Sequence, residues 1–165
     1  MRVYLPATST GLRTLADTGS LGPAPLTAFA VTPGLREWYV EGELEELEYA
    51  AAAEAARASL RLLDAEPSAA RRRVVVALDA PDSAVAVRDD LDRGVVVLSE
   101  VVALSQVAAV HADDAAAERA VEIAARSVIA ADLGDAAAQE LVDDAEGHEL
   151  SWYARQELTG LLDGF

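Results

Sequence analysis

The densest group of side chains able to do chemistry or recognition lies near the C-terminus, in the stretch from His148 to Leu158. It combines a histidine, a tryptophan, a tyrosine and an arginine within three turns of a predicted helix. His148-Glu149 begins like the zinc-binding motif His-Glu-x-x-His, but Trp152 stands where the second histidine must be. Because the chain has two histidines and no cysteine, we expect no metal site.

The candidate binding residues lie in two aromatic segments. On the predicted C-terminal helix, His148, Trp152 and Arg155 share the face away from the apolar stripe. A second aromatic pair, Trp38-Tyr39, has charged neighbours of its own. One hypothesis is that the two segments pack together as one wall of a cleft or interface. The alternative is an aromatic minicore that fastens the C-terminal helix to the sheet. The candidate binding residues are Arg36, Glu37, Trp38, Tyr39, His148, Glu149, Trp152, Tyr153 and Arg155.

The other motifs in the sequence do not indicate a reaction. The acidic stretch from Asp89 to Gly94 does not fit the calcium-binding register, and a solvated hairpin turn explains it. Gly19 and Gly22 flank a proline-rich loop without a following lysine, so no phosphate loop is present. No Gly-x-Ser-x-Gly motif occurs. The sequence therefore assigns no catalytic residue and no cofactor, and leaves open whether the protein is an enzyme.

The net charge and the composition limit the classes of partner and the chemistry that we expect. The formal net charge of −16 opposes binding to nucleic acid or to an anionic membrane. The absence of cysteine excludes disulfides and thiolate chemistry. No apolar run reaches the length of a membrane span, and the first residues lack a signal-peptide pattern. We therefore expect a cytoplasmic protein with a single domain, residues 1–165.

The periodicity predicts an α+β fold with one mixed, largely antiparallel sheet of four to six strands, packed with helices and ending in a C-terminal helical segment. The connections between residues 73 and 111 are too short for helical crossovers, so this block is predicted to be an antiparallel meander. Strands are predicted at residues 2–5, 26–31, 73–78, 84–88, 95–98 and 107–111. Helices are predicted at residues 8–17, 34–40, 43–64, 113–131, 135–146 and 148–162. The expected helix caps are Thr8 or Ser9, Thr32, Asp113-Asp114 and Asp135.

Three blocks, at residues 1–6, 28–39 and 148–157, resemble the recurring blocks of a family of uncharacterised actinobacterial proteins. A GC-rich source fits the composition, because lysine and asparagine are absent and isoleucine occurs only at Ile123 and Ile129. The resemblance implies a bacterial cytoplasmic protein of unknown function. It transfers no catalytic residue to this chain.

We predict a non-enzymatic interaction or regulatory module, a homodimer or a binder of another protein, that uses its aromatic and charged surface. The alternative is a small-molecule binder or hydrolase with a cleft between the 34–40 and 148–162 helices. These two functions differ in whether Arg36 and His148 line one common cavity.

Overall fold

The computed structural model describes all 165 residues as nine strands and six helices, joined in places by short 3-10 turns. The strands are β1 (Arg2–Ala7), β2 (Ser20–Leu21), β3 (Leu26–Ala30), β4 (Val74–Asp79), β5 (Val85–Val87), β6 (Val95–Leu98), β7 (Val102–Ala103), β8 (Val107–Ala112) and β9 (Ser151–Ala154). The helices are α1 (Ser9–Thr18), α2 (Pro33–Trp38), α3 (Leu44–Ala65), α4 (Glu118–Asp132), α5 (Ala136–Glu146) and α6 (Leu158–Asp163).

Seven strands form one sheet in the order β5-β6-β3-β1-β4-β8-β9, and β2 pairs separately with β7. Every pairing is antiparallel. The central pair is β1 and β4, with Arg2 opposite Asp79 and Ala7 opposite Val74. The run Val74 to Leu78 is buried throughout, because both of its faces are covered by other elements.

One face of the sheet packs against α1 and α6. Leu12 and Leu15 of α1 lie in the same core as Val3 of β1, and Leu158 and Leu161 of α6 join them. The C-terminal helix is therefore held by leucines spaced three apart, which place both side chains on one side of the helix.

The opposite face is covered by α3. Leu47, Ala51 and Ala55 of this helix pack on Tyr4 and Val75 of the central strands. Alanines along that stripe let the 22-residue helix lie close to the sheet. The antiparallel pair α4 and α5 forms a further core with the C-terminal part of α3, so the helices extend the fold beyond the sheet.

Buried polar contacts fasten the sheet to the segments around it. Arg73 and Asp113 are almost fully buried and form a two-pronged ion pair with both distances 2.8 Å. Arg73 also donates to the carbonyl oxygen of His148 at 2.8 Å. A buried ion pair is tolerated only when its remaining groups are bonded, and the backbone N–H of Arg73 also donates to Asp113. These bonds connect β4, the end of β8 and the segment that leads into β9.

The predicted α+β class and largely antiparallel sheet are confirmed, but the sheet has seven strands, and none of its pairings is parallel. The predicted helix at residues 148–162 is wrong in its first half, because Ser151 to Ala154 form β9. Two aromatic residues favour extended backbone there, and pairing with β8 satisfies its polar groups. A helix starts only at Leu158, after Glu157 accepts a hydrogen bond from the N–H of Ala154.

The predicted meander is also wrong in its strand order. The strands β5 and β6 do form a hairpin, but β4 lies between β1 and β8, three strands away from β6. The edge of β4 that a meander would use is occupied by β1 over six residue pairs. No helix of the protein is both long enough and apolar enough to cross a membrane.

Candidate functional site: an exposed aromatic corner

The structure separates the two aromatic segments that were expected to meet. Trp38 and Tyr39 end α2, which follows β3, whereas Trp152 lies on β9 at the far edge of the sheet. Strands β1, β4 and β8 lie between, so at about 4.8 Å for each of four steps the sheet separates the segments by about 19 Å. The expected shared wall, and the cleft between the 34–40 and 148–162 segments, therefore do not form.

The candidate residues on the C-terminal segment do not form one group, and each has its own surroundings. Trp152 lies opposite His111 on β8 and is 61% exposed. Tyr153 is half-buried and packs on the α1 and α6 side of the sheet. Arg155 donates to the carbonyl oxygen of Ser105 at 2.9 Å, which ties two 3-10 turns together. The carbonyl of His148 binds Arg73, as described above. Glu149 is exposed.

The two histidines do not form a metal-binding centre either. Burial lowers the pKa of His111, and the charge of Arg2 lowers it further. No group of three or more His, Asp or Glu side chains is placed to share a metal ion.

The N-terminal candidates lie on a different kind of surface. A cluster of large apolar side chains is exposed around the end of α2, the start of α3 and the β5–β6 turn, and we call it the aromatic corner. Its members are Trp38 (62% exposed), Tyr39 (44%), Val40 (88%), Leu44 (53%) and Leu91 (61%). Single exposed apolar residues are common, but five on neighbouring segments are typical of a recognition surface.

The orientation of Trp38 is set by Arg93 in the β5–β6 turn. The guanidinium carbon lies 3.7 Å from the centre of the indole ring, which is a close cation–π contact. The indole therefore keeps one face against the turn, while the rest of the ring is open to solvent.

A single carboxylate fixes this turn to α2. Asp89 accepts hydrogen bonds from the Thr32 hydroxyl, from the N–H of Gly34 at 2.9 Å and from the N–H of Gly94 at 3.0 Å. Thr32 is fully buried, and its side chain caps α2 by accepting from the N–H of Leu35. Burial alone would raise the pKa of Asp89, but the three hydrogen bonds outweigh burial and lower it.

Two glycines make this clamp possible. A Cβ built on Gly34 would lie 2.7 Å from the carboxyl carbon of Asp89, so only glycine leaves room for the carboxylate. Gly94 has φ of 82°, in the left-handed region that glycine adopts without strain. The aromatic corner is thus presented by a rigid framework, although it lies on loops and a short helix.

Acidic side chains surround the corner. Residues 36 to 46 hold five glutamates and one arginine. The glutamates are all exposed: Glu37, Glu41, Glu43, Glu45 and Glu46. Asp90 and Asp92 add carboxylates from the turn, where Asp90 pairs with Arg88 at 2.8 Å. The corner is therefore an apolar centre with a strongly negative rim.

Arg36 to Tyr39 were predicted from the sequence as candidate binding residues, whereas Asp89, Gly34 and Arg93 were not. The two ends of the clamp had been recognised separately, as a helix cap at Thr32 and as a polar turn from Asp89. No local pattern indicates that a carboxylate would reach a helix start 55 residues earlier in the chain.

Comparison with known proteins places the chain in a family without assigning a role. No curated protein and no solved structure matches it. Residues 1–162 match the model of DUF6912, a family of unknown function, and the chain therefore belongs to that family.

Proposed function

We propose that the protein is a non-enzymatic interaction or regulatory module whose docking surface is the aromatic corner. The observation that carries this proposal is the exposure of Trp38, Val40 and Leu91 on a framework held by Asp89. Aromatic side chains dominate the energetics of protein interfaces, and a preorganised surface pays less entropy on binding.

The rim determines the chemistry of the partner. Five exposed glutamates around an apolar centre favour a protein segment that carries both Lys or Arg and large apolar side chains. The same charge disfavours nucleic acid and anionic membranes as partners. A cytoplasmic location and an actinobacterial source remain parts of this proposal, and the GC-rich composition supports the second of them.

A selection from a random peptide display library on the immobilised protein tests the proposal. We expect the enriched peptides to combine basic and apolar residues and to bind more weakly as salt is raised. Replacing Trp38 with serine should weaken their binding about 30-fold, which is ~2 kcal/mol.

Trp152→Ser is the matched control, because Trp152 is exposed to the same extent but lies on the edge strand β9, away from the aromatic corner. Its peptide affinity should equal that of the wild type. Enrichment of acidic peptides, no enrichment at all, or binding unaffected by Trp38→Ser would each contradict the proposed docking surface.

Homodimer formation is a second candidate, favoured by a groove between α4 and α5. The groove has a volume of about 310 Å³ and contains Ile123, Leu141, Arg119 and Asp144. Arg119 and Asp144 make no ion pair within the chain. A twofold axis along the groove would bring Arg119 of each copy to Asp144 of the other.

Light scattering after size exclusion tests the dimer. We expect the mass of two chains for the wild type and of one chain for Ile123→Glu. A wild-type monomer at high concentration would rule out this candidate and leave the aromatic corner unaffected.

A further inference from the structure

A second concave surface lies on the other side of the sheet from α3, away from the aromatic corner. It is a cavity of about 560 Å³ between α1, the segment that follows α3, and Phe165. This volume is within the usual range of small-molecule sites. Unlike most such sites, its lining is mainly polar, which favours a hydrophilic ligand.

Hydroxyl groups form much of the lining. Ser9, Thr10, Thr14 and Ser68 all border the cavity. Ser9 is 8% exposed, and its oxygen accepts a hydrogen bond from the N–H of Ala70 at 2.9 Å. That bond fixes the position of the hydroxyl oxygen and leaves its O–H group to donate to a ligand.

Two opposite charges face the same space. Arg13 and Asp17 lie one helical turn apart on α1, a spacing at which ion pairs commonly form. Here neither side chain makes an ion pair or a side-chain hydrogen bond, although most other arginines of the protein are engaged. Both charges are therefore available to a ligand in the cavity.

An aromatic ring completes the lining. Phe165 borders the cavity, and the guanidinium carbon of Arg72 lies 5.2 Å from the centre of its ring. Arg72 is itself fixed by an ion pair with Glu118 at 2.8 Å. The position of the ring is therefore fixed by Arg72. The ring offers an apolar surface of the kind on which the C–H face of a sugar packs.

We propose that this cavity binds a small hydroxylated anion of the sugar phosphate class. Arg13 takes the anionic group, while Asp17 accepts hydrogen bonds from ligand hydroxyls. The serine and threonine hydroxyls donate to or accept from the remaining ligand oxygens. A neutral sugar would leave Arg13 without a partner, and inorganic phosphate would leave Asp17 without a donor. The ligand therefore needs both kinds of group.

Ribose 5-phosphate is the probe, at millimolar concentration, with ¹H–¹⁵N correlation spectra of the full chain as the readout. We expect shift changes confined to α1, residues 66–70 and the C-terminal residues, and weaker changes with ribose or inorganic phosphate alone. Arg13→Gln should reduce affinity about tenfold, and Asp17→Asn should reduce it to a smaller extent. Both side chains are exposed, so the variants are expected to fold like the wild type.

Arg126→Gln is the control, because it removes an exposed arginine of α4 that does not border the cavity, and affinity should not change. The proposal is overturned if the spectra do not change, if phosphate alone binds as well as ribose 5-phosphate, or if Arg13→Gln binds as the wild type does. Trp38→Ser should bind the probe normally, so this result is independent of the docking surface proposed above.

Discussion

Replacing Gly34 with alanine should destabilise the protein through one contact, the carboxylate of Asp89. The new Cβ would lie 2.7 Å from the carboxyl carbon and 2.9 Å from both oxygens, closer than real Cβ atoms come. The carboxylate cannot move away without weakening its bonds to Thr32, Gly34 and Gly94. Since a hydrogen bond to a charged group contributes about 1.5–3 kcal/mol, we expect a loss of about 2–4 kcal/mol.

A double-mutant cycle measured by urea unfolding isolates this contact. Asp89→Ala alone should cost about as much as Gly34→Ala, because both disrupt the same three bonds. In the Asp89→Ala background, Gly34→Ala should be neutral or stabilising by up to about 1 kcal/mol, since alanine is the better helix former. Gly160→Ala in α6 is the control, because no atom lies within 4 Å of its added Cβ.

Equal costs of Gly34→Ala in the two backgrounds would refute this reasoning. They would mean that alanine is excluded by something other than the carboxylate. A cost in Gly160→Ala as large as in Gly34→Ala would show that helical glycines are needed generally, independent of the clamp.

Three further outcomes follow from the fold. Asp113→Ala leaves the buried guanidinium of Arg73 unpaired and should cost about 3–5 kcal/mol in urea unfolding, and a loss below about 1 kcal/mol would contradict the role of this pair. The hydrogen bond from Arg61 lowers the pKa of Asp132, so this carboxylate contributes stability above its unfolded pKa of about 4 that is lost as pH falls through the lower folded value. Asp132→Asn should therefore be less stable at neutral pH and lose stability less steeply in acid, and an unchanged slope would count against the pairing. Trp152→Ser should cost less than about 1 kcal/mol because the ring is mostly exposed, and a larger loss would place the ring in the core.

The sequence predicted much of the local structure because its signals are short-range. Thr8 or Ser9, Thr32 and Asp135 were expected to cap helices. The side chains of Thr8, Thr32 and Asp135 each accept a hydrogen bond from the first turn of α1, α2 or α5. The apolar run at 73–78 and the long stripe of α3 are likewise set by neighbouring residues.

The errors arose where distant segments compete. The stretch Ser151 to Ala154 fits a helical stripe by its spacing, yet the unpaired edge of β8 offered it backbone partners. Asp113 was expected to be a helix cap beside Asp114. It is instead buried with Arg73, and Asp114 alone caps the turn before α4.

The candidate site could be predicted only in part for the same reason. Trp38 and Tyr39 were recognised because aromatic residues are few in this chain. The prediction that they contact the aromatic residues of β9 was wrong, because the order of the seven strands is set by long-range pairing. Trp38 is instead held by Arg93 and by the Asp89 clamp. Both come from a turn more than 50 residues away in the chain.

The role of the aromatic corner is tested most directly by one comparison, the affinity of a single display-selected peptide for Trp38→Ser and for Trp152→Ser. The two substitutions remove indoles of equal exposure, one at the end of α2 and the other on the edge strand β9. We predict that the dissociation constant rises about 30-fold for Trp38→Ser and stays at the wild-type value for Trp152→Ser. Equal dissociation constants for the two variants would contradict a docking surface at the aromatic corner.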